Sequence, residues 1–456
     1  KTKKIALLGL GIEGLSTAHY FLKHKIPFSV IDEKSKEELV SVSPVWEKGL
    51  QEIQEAGQPL LLGKPITSEV LLEFDIVLRS PGISPLQPYL KEFRGIITSQ
   101  TKLFFSWSKG KIIGVTGTKG KGTTSTLIYE MLRQAGVDAY IGGNIGKPAF
   151  DFLDDLTENS YSVLELSSFQ LMDADRSPSI SVMLMVTNEH LDYHGGADGY
   201  HSAKQNIFKF QTSDDMAIIN PDYEATRLSA SVTPAKVVFV SRFQEVENGC
   251  FVRDNKVILR SNGFETDIID VTDILLPGHH NLENVCAAVM VAHACGVGLS
   301  QIQGVLKTFK GLEHRLELVK ELDGVMYYDD SIATNPESAL AGIQAFPQPK
   351  VLILGGVTEG SDFTQVARYV AEDPSVKAIV GIGREWPVIK KLIEEYQDHA
   401  IEIREGFSTM SEVVTASRNL AEKGDIVLLS PACKSFDMFT SYKDRGEQFK
   451  HAVNLL

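Results

Sequence analysis

The chain has 456 residues, which is too many for one hydrophobic core, so we expect two to four domains. Its formal net charge of −14 argues against non-specific binding to nucleic acid, which requires a basic surface. The sequence holds no run of about 18 apolar residues, so no membrane insertion is expected. The four cysteines form neither a CxxC pair nor a metal-ligand spacing, which is typical of reduced thiols in a cytoplasmic protein.

The first predicted strand, residues 5–8, leads into the turn Gly9-x-Gly11-x-x-Gly14 and then into a predicted helix at residues 15–25. A glycine turn between a strand and a helix directs backbone N–H groups to one point, where the positive end of the helix also lies. The sequence therefore predicts a diphosphate or a nucleotide at this turn.

The next two predicted strands also end in polar groups. Residues 28–31 end at Asp32, about twenty positions beyond the glycine turn, and this pattern is also typical of nicotinamide dinucleotide binding. Residues 75–78 end near Ser80, at the edge of an open α/β sheet where ligands bind. A plain loop at Ser80 is the alternative.

The most informative stretch is a predicted strand that starts at residue 112 and runs into Gly117-x-x-Gly120-Lys121. A helix is predicted from Ser125 to Ala135. Glycines expose backbone N–H groups to phosphate oxygens, and Lys121 adds a full positive charge. We call residues 117–123 the phosphate loop. A glycine-rich turn with an exposed lysine is the alternative.

Downstream residues add candidate metal ligands. Glu165 lies among apolar residues of a predicted strand, where a charge is costly unless it is paired or bound to metal. His190 follows a predicted strand at residues 181–186. Together with the phosphate loop, these groups predict a nucleotide–magnesium site. Lys204, judged alone, is expected to be a solvated surface lysine.

Residues 241–271 alternate apolar and polar residues between turns, which predicts antiparallel hairpins. Asn281 and Asn284 then precede an alanine-rich helix predicted over residues 285–295, and their spacing places them on one helix face. N-capping by Asn281 is a simple structural explanation. Beyond residue 312, strands alternate with helices again, which predicts a doubly wound parallel sheet.

Several motifs together resemble the Mur ligase family, and the resemblance extends over nearly the whole chain. They are Leu164-Glu165-Leu166-Ser167-Ser168-Phe169-Gln170, Gly278-x-His280-Asn281-x-x-Asn284, Asp330-Ser331-x-Ala333-Thr334-Asn335 and Leu428-Leu429-Ser430-Pro431-Ala432-Cys433-x-Ser435-Phe436-Asp437-Met438-Phe439, followed by Tyr442 and Arg445-Gly446. The resemblance implies an α/β protein of three domains. Residues 1–95 would be Rossmann-like and bind a UDP substrate. Residues 96–311 would bind ATP with a mostly parallel sheet extended by hairpins. Residues 312–456 would be Rossmann-like, bind the incoming amino acid and close over ATP.

The resemblance further implies a reaction in which D-glutamate is joined to UDP-N-acetylmuramoyl-L-alanine at the expense of ATP. An acyl phosphate would form first, and the amine of the amino acid would then displace phosphate. The enzyme would be a cytoplasmic monomer that uses two Mg²⁺ ions and a carbamylated lysine at Lys204.

The resemblance also assigns site residues. The catalytic residues would be Lys121, Glu165, His190 and Lys204. ATP would contact Gly117, Thr118, Lys119, Gly120, Lys121, Gly122, Thr123, Thr124, Asn281, Asn284, Arg315 and Asp330. The UDP substrate would contact Gly11, Ile12, Glu13, Asp32, Ser80, Asn144 and His190, and the amino acid would contact Thr334, Lys434, Ser435 and Phe436. The metal ligands would be Thr123, Glu165, His190 and the Lys204 carbamate.

The sequence departs from the family pattern at a few positions. Gly122 replaces the hydroxyl residue after the loop lysine, and we expect Thr123 to take over its contact with Mg²⁺. Glu359 and Ile332 replace two family lysines, while Lys434 stands where a small residue is usual. We hypothesise that Lys434 binds the substrate carboxylate in place of the family lysine that Glu359 replaces. The alternatives are that both side chains point to solvent or that the amino-acid specificity has changed.

Three other functions compete with this interpretation. One is a related ATP-dependent amide ligase, such as folylpolyglutamate synthetase or a Mur ligase for another amino acid. The tail around Ser435 and Phe436 argues against it. A nicotinamide-dependent oxidoreductase would explain Gly9 to Asp32 but not the phosphate loop. A non-catalytic nucleotide-binding regulator would not need Glu165, His190 and Lys204.

Overall fold

We describe a computed structural model of residues 3–42, 44–187, 189–276, 278–358, 360–396 and 399–456. The chain divides into two compact units, Lys1–Lys310 and Gly311–Leu456. The first unit contains two sheets and the second contains one. The prediction of an α/β fold with mostly parallel sheets is confirmed.

The first sheet holds the first glycine turn. Its strands are β1 (Ile5–Leu8), β2 (Ser29–Asp32), β3 (Leu60–Leu62), β4 (Ile76–Arg79) and β5 (Ile96–Thr98), with helices α1 (Ile12–Lys23), α2 (Lys36–Val42), α3 (Pro44–Glu55), α4 (Ser68–Leu71), α5 (Pro88–Glu92) and α6 (Gln100–Trp107). The strands pair in parallel in the order β3-β2-β1-β4-β5. Helix α1 begins at Ile12, three residues before its predicted start, so the glycine turn is shorter than expected.

The second sheet holds the phosphate loop. Its elements are β6 (Lys111–Thr116), α7 (Lys121–Gln134), β7 (Ala139–Gly143), β8 (Tyr161–Glu165), α8 (Ser168–Leu171), β9 (Ile180–Met183), α9 (Leu191–His194), α10 (Ala197–Lys209), β10 (Met216–Ile219), α11 (Glu224–Leu228), β11 (Lys236–Ser241), β12 (Gly249–Arg253), β13 (Lys256–Ser261), β14 (Phe264–Asp270), α12 (Asn281–Ala294) and α13 (Leu299–Leu306). The strand order is β14-β13-β12-β11-β10-β9-β6-β8-β7.

The strands β6 to β12 of this second sheet pair in parallel, and only the β12–β13 and β13–β14 pairs are antiparallel. The predicted hairpins therefore form the edge of a parallel sheet, although β11 itself pairs in parallel with β12. Strand β6 lies between β8 and β9, so the carboxyl ends of these three strands bring the phosphate loop, Glu165 and the chain after Met183 together. Helix α12 packs against α7 with a buried, alanine-rich face that includes Val285 and Val289.

The second unit contains β15 (Glu317–Leu322), β16 (Val325–Asp329), α14 (Pro336–Gln344), β17 (Lys350–Gly355), α15 (Thr364–Glu372), β18 (Val376–Ile382), α16 (Trp386–Tyr396), β19 (Glu402–Arg404), α17 (Met410–Leu420), β20 (Ile426–Leu429) and α18 (Tyr442–Leu455). The order is β15-β16-β20-β17-β18-β19, with β15 antiparallel to β16 and the other pairs parallel. The polar segments that follow β16 and β20 therefore meet at one edge of this sheet.

Across the described part of the chain, helices long and apolar enough to cross a bilayer are absent. The four cysteines are free thiols, of which Cys250, Cys286 and Cys433 are buried.

Candidate active site

The first glycine turn is held by two polar side chains predicted to bind ligand. The backbone N–H of Leu10 donates to Asp32 Oδ2 at 2.6 Å. The Ser80 hydroxyl, which is 8% exposed, donates to the carbonyl oxygen of Gly9. Asp32 and Ser80 thus fix the path of the chain into α1. That helix starts after Gly11, which together with Ile12 is exposed at its N-terminus.

Glu13 lies in the first turn of α1, and its Oε1 accepts a hydrogen bond from Gln170 Nε2 at 2.5 Å. Its buried Oε2 has no hydrogen-bond partner among the described residues. Burial raises the pKa of Glu13 to about 7, against the opposing effects of Gln170 and Arg79. A carboxyl group that keeps its proton to near-neutral pH does not repel a diphosphate as a carboxylate would.

Arg79 was not predicted as a site residue, and it connects the first sheet to the second. Its fully buried guanidinium forms an ion pair with Asp173 and donates to the carbonyl oxygens of Ile83 at 2.7 Å and Phe169 at 3.2 Å. Since Phe169 immediately precedes Gln170, Arg79 and Glu13 both connect the first sheet region to the chain segment after Glu165. The first glycine turn and the second sheet are therefore joined by buried polar contacts.

The phosphate loop continues directly into α7, which begins at Lys121, four residues before the predicted start. Gly120 has a φ of +85°, and a Cβ atom there would lie 2.2 Å from Asn284 Oδ1. Both the backbone conformation and the close approach of Asn284 therefore require glycine. The early helix start adds the backbone N–H groups of Gly122 and Thr123 to the positive end of the helix dipole.

Two lysines donate to the same part of the phosphate loop. Lys121 Nζ lies 3.0 Å from the Gly117 carbonyl oxygen and 2.9 Å from that of Thr118. Lys204 Nζ lies 2.8 Å from the same oxygen of Gly117. Two ammonium groups this close repel each other, so one of them is favoured in its neutral form.

Lys204 loses its proton more readily than an ordinary lysine does. Its side chain is 2% exposed, and its ammonium group lies 4.7 Å from the centroid of the Tyr200 ring. Burial, and secondly the charge of Lys121, lower the pKa of Lys204 to about 7. The expectation that Lys204 is a surface lysine is therefore wrong, because α10 turns this side chain into the core.

Tyr200 was not predicted as a site residue. Its hydroxyl lies 3.0 Å from Thr118 Oγ1, which also accepts from the backbone N–H of Thr187 at 2.9 Å. Burial raises the pKa of Tyr200 to about 12. Tyr200 and Lys204 are four residues apart on α10, so they share one face of the helix. This face carries Tyr200, Ala203, Lys204, Ile207 and Phe208, all buried.

Glu165 ends strand β8 and is 7% exposed. Its Oε1 accepts from Asn144 Nδ2 at 2.7 Å, so Asn144, predicted to contact the UDP substrate, holds this carboxylate. The charges of Glu189 and Glu165 partly counteract the lowering of the Lys204 pKa, so both carboxylates lie near that amine. Glu189 is a further acidic residue of the site.

His190 is exposed, has a left-handed φ of +53°, and its ring lies 4.9 Å from that of Phe169. His194, one turn later and not predicted, is buried, with Nε2 3.0 Å from Ser168 Oγ. Burial lowers the pKa of His194 to about 4, so this ring is neutral at physiological pH. The two histidines therefore differ in exposure, and His190 is the one available to a ligand.

Helix α12 begins at Asn281 and its N-cap residue is His280, so the interpretation of Asn281 as the N-cap is wrong. Asn284 Nδ2 donates to Asn281 Oδ1 at 2.8 Å, while Asn284 Oδ1 accepts from Thr124 Oγ1 at 3.2 Å. The pair therefore lies against the first turn of α7, beside the phosphate loop.

The end of β16 supplies Asp330, which is 4% exposed. Its two oxygens accept from Ser430 Oγ at 2.7 Å and from the backbone N–H of Leu316 at 3.3 Å. Burial raises the pKa of Asp330 to about 7. Arg315, by contrast, is exposed.

The residues predicted to bind the amino acid lie in different environments. Ser435 is 2% exposed, and its Oγ lacks a hydrogen-bond partner among the described residues, whereas Phe436 is exposed and Thr334 is half-buried. The carbonyl oxygen of Lys434 accepts from the backbone N–H of Val357 at 2.9 Å. Glu359 lies outside the described residues. Lys434 therefore borders the loop that leads toward residue 359.

Sequence comparisons identify the family. The Mur ligase MurD-like N-terminal domain matches residues 3–96, the Mur ligase middle domain matches residues 115–292, and the Mur ligase glutamate ligase domain matches residues 314–433. A UDP-N-acetylmuramoylalanine–D-glutamate ligase of Clostridium botulinum is 36% identical over 100% of this chain and 97% of its own. The chain belongs to the Mur ligase family.

Other Mur ligases agree with this assignment. The UDP-N-acetylmuramoylalanine–D-glutamate ligase of Symbiobacterium thermophilum is 37% identical over 100% of this chain and 98% of its own. The crystal structure of UDP-N-acetylmuramate–alanine ligase MurC from Thermotoga maritima covers 99% of both chains with a TM-score of 0.55 and 17% identity, which supports the fold. Membership in a ligase family leaves the nicotinamide-dependent oxidoreductase without support.

Proposed function

We propose that this Mur ligase joins D-glutamate to UDP-N-acetylmuramoyl-L-alanine with ATP, in the synthesis of peptidoglycan precursors. The observation that carries the proposal is that Lys121 and the buried Lys204 both donate to the carbonyl oxygen of Gly117 in the phosphate loop. The full-length relatives of the chain are UDP-N-acetylmuramoylalanine–D-glutamate ligases. The enzyme acts as a cytoplasmic monomer. Residues 1–95 bind the UDP substrate, residues 96–311 bind ATP, and residues 312–456 bind the amino acid.

The reaction has two steps. The carboxylate of the alanyl substrate attacks the γ-phosphorus of ATP, which forms an acyl phosphate and releases ADP. The amine of glutamate then attacks the acyl carbon, and inorganic phosphate leaves. Phosphoryl transfer between anions requires positive charge near the transferred group, which Lys121 and the N–H groups of the phosphate loop provide.

The residues near Lys204 fit Mg²⁺ and a carbamate. An amine with a pKa of about 7 is largely neutral at slightly alkaline pH, and only a neutral amine adds CO₂. The carbamate is an anion, so it replaces the repulsion between Lys204 and Lys121 by attraction. With Glu165, His190 and Thr123 it would provide the oxygen and nitrogen ligands of two Mg²⁺ ions. Bound Mg²⁺ neutralises the charge of the transferred phosphate.

The remaining ligand contacts follow the family pattern. Asn281, Asn284, Arg315 and Asp330 contact ATP together with the phosphate loop. The UDP group meets the first glycine turn at Gly11, Ile12 and Glu13, in addition to Asp32, Ser80, Asn144 and His190. The exposed N-terminus of α1 and the protonated form of Glu13 support an anionic group at this turn.

The amino-acid pocket comprises Thr334, Lys434, Ser435 and Phe436. The Ser435 hydroxyl has no hydrogen-bond partner in the described part of the chain, and this supports a polar ligand there, because a buried hydroxyl without a hydrogen bond is unfavourable. We assign the contact with a glutamate carboxylate to Lys434. The substitution Lys434→Ala should raise the KM for glutamate about tenfold and the KM for ATP far less. If the KM values for glutamate and ATP rise equally, or if neither changes, Lys434 does not contact the glutamate carboxylate.

One assay tests the proposed function. Phosphate release is measured with ATP and UDP-N-acetylmuramoyl-L-alanine in the presence of a panel of D- and L-amino acids. The proposal predicts release only with D-glutamate and only when all three substrates are present. Release with a different amino acid would reassign the specificity, and turnover of ATP without the UDP substrate would refute the ligase reaction.

A further inference from the structure

Arg315 lies in a short segment whose backbone is unusual on both sides. His314 has a φ of +62° and Leu316 has a φ of +46°, conformations that residues other than glycine rarely adopt. Such strain persists only where surrounding contacts hold it, and it is found at functional sites as well as in turns. Arg315, exposed between these two residues, is the side chain that this segment presents.

His314 is held by contacts from several parts of the second unit. Its side chain is buried, and its Nδ1 lies 2.7 Å from Asp329 Oδ2. Its backbone N–H donates to Glu317 Oε2 at 2.8 Å, and its carbonyl oxygen accepts from the backbone N–H of Ile332 at 3.1 Å. These contacts hold both the ring and the backbone of the residue before Arg315.

Asp329, the last residue of β16, and the next residue, Asp330, contact the chain on the two sides of Arg315. Asp329, which is fully buried, binds the ring of His314 and accepts from the backbone N–H of Ser331 at 2.9 Å. Asp330 accepts from the backbone N–H of Leu316. The strained segment is thus fixed to the end of β16 on both sides.

Helix α18 packs closely against His314 and Asp329. A Cβ atom on Gly446 would lie 2.2 Å from His314 Nδ1 and 2.7 Å from Asp329 Oδ2. Even the smallest side chain at residue 446 would therefore displace the ring of His314. The packing of α18 leaves one position for this histidine.

We propose that His314 and Asp329 are positioning residues that hold Arg315 in the conformation in which it binds a phosphate group of ATP. The inference rests on the proposed function, which assigns this phosphate contact to Arg315. The two residues do not touch ATP themselves. They act through the backbone that carries the arginine, so their loss should matter only while Arg315 is present.

A double-mutant cycle tests this dependence with the full-length enzyme. Asp329→Ala should reduce kcat/KM for ATP by about 10- to 100-fold, the equivalent of a hydrogen bond between charged groups, and should leave the KM for glutamate within about twofold. In an Arg315→Ala background, the same substitution should cost less than about twofold further. Asp329→Asn, whose amide can still pair with the other tautomer of His314, should restore most of the activity.

Two further variants separate positioning from folding. Gly446→Ala changes no hydrogen-bonding group and should reduce kcat/KM for ATP in the same way, because it displaces His314. Asp373→Ala removes a carboxylate that pairs with buried Lys350 at 3.2 Å in the same unit, and it should lower the Tm without changing the KM for ATP. Each variant is checked by thermal unfolding.

The outcomes distinguish the two proposals. Equal losses from Asp329→Ala in both backgrounds, or unchanged ATP kinetics in both Asp329→Ala and Gly446→Ala, would overturn the positioning role alone. If Arg315→Ala itself leaves kcat/KM for ATP unchanged, the assignment of Arg315 to ATP fails, and the positioning role fails with it. Coupled losses confined to ATP would support both.

Discussion

Both glycine turns of the first unit join a strand to a helix. They differ in the buried ionisable group beside them, which is an acid at the first turn and a base at the phosphate loop. At the first turn, burial raises the pKa of an acid, Glu13, to about 7. At the phosphate loop, burial and Lys121 lower the pKa of a base, Lys204, to about 7. In both places the ionised form is the unfavourable one. Burial therefore weakens one charge at each turn, by a proton on Glu13 and by the loss of a proton from Lys204.

The largest effect is expected at Lys121 of the phosphate loop. Lys121→Ala should reduce kcat for phosphate release by about 10³-fold, since a preorganised charge at the transferring phosphate is removed. Lys119→Ala, which removes an exposed lysine two residues earlier, should have a much smaller effect. Similar losses in both variants would mean that general electrostatic attraction, rather than the position of Lys121, drives the reaction.

The second effect concerns the proton that Lys204 gives up. Lys204→Arg keeps the positive charge, but its guanidinium does not form a carbamate. We expect a roughly 100-fold loss of kcat, because the proposed carbamate ligand of Mg²⁺ cannot form. Lys209→Arg, on the same helix but exposed, is the matched control and should retain activity. Full activity of Lys204→Arg, measured at saturating Mg²⁺, would show that Lys204 acts as a cation.

The third effect tests the departure of this loop from the usual pattern at Gly122. Thr123→Val keeps the size of the side chain but removes its hydroxyl, and it should lower ATP turnover about tenfold and increase the Mg²⁺ concentration required. Titration of Mg²⁺ at fixed ATP measures both quantities. Unaltered ATP turnover and Mg²⁺ dependence would show that Thr123 does not replace the hydroxyl that residue 122 lacks.

The smallest effect is a pH dependence at the first turn. The folded pKa of Glu13, about 7, lies above the ordinary glutamate value of 4.5, so its favourable contribution to stability is complete below pH 4.5 and is lost as the pH rises through 7. Glu13→Gln should therefore gain stability relative to the native chain between about pH 5 and pH 8, by at most about 3 kcal/mol. Urea unfolding at both pH values measures the difference.

Glu55→Gln is the matched control for this experiment. Glu55 also accepts a hydrogen bond from a glutamine amide, that of Gln51 at 2.7 Å, but it is exposed. Its substitution should produce no pH-dependent gain. A gain at Glu13 that is the same at both pH values would contradict the burial of a protonated carboxyl group.

Much of the fold could be predicted because both turns are recognisable in the sequence. Glycine spacing, short apolar strands and the order of elements predicted the parallel sheets. The predicted helix starts were less accurate. Helix α7 begins at Lys121 and not at Ser125, so Gly122 and Thr123 of the phosphate loop lie inside the helix. Propensity alone does not reveal this, because glycine and threonine are weak helix formers. The helix starts directly after Gly120, whose φ is +85°.

The site was predicted less completely. Buried Lys204 could have been recognised from the stripe that it shares with Tyr200, Ile207 and Phe208 at helical spacing. Arg79 could not, because its ion pair with Asp173 and its hydrogen bond to the carbonyl oxygen of Phe169 join segments about ninety positions apart in the chain. The pairing of His314 with Asp329 likewise depends on the fold, which brings two residues fifteen positions apart into contact.

The proposed metal site is tested most directly by asking whether Lys204 carries a carbamate. The enzyme is equilibrated with ¹³C-labelled bicarbonate and Mg²⁺, and its ¹³C NMR spectrum is compared with that of Lys204→Arg. A carbamylated Lys204 should give one carbamate carbon signal per chain, which is absent from the variant. On removal of CO₂ this signal should be lost in parallel with ligase activity. A fully active native enzyme without this signal, or a signal that persists in Lys204→Arg, would contradict the proposed carbamate.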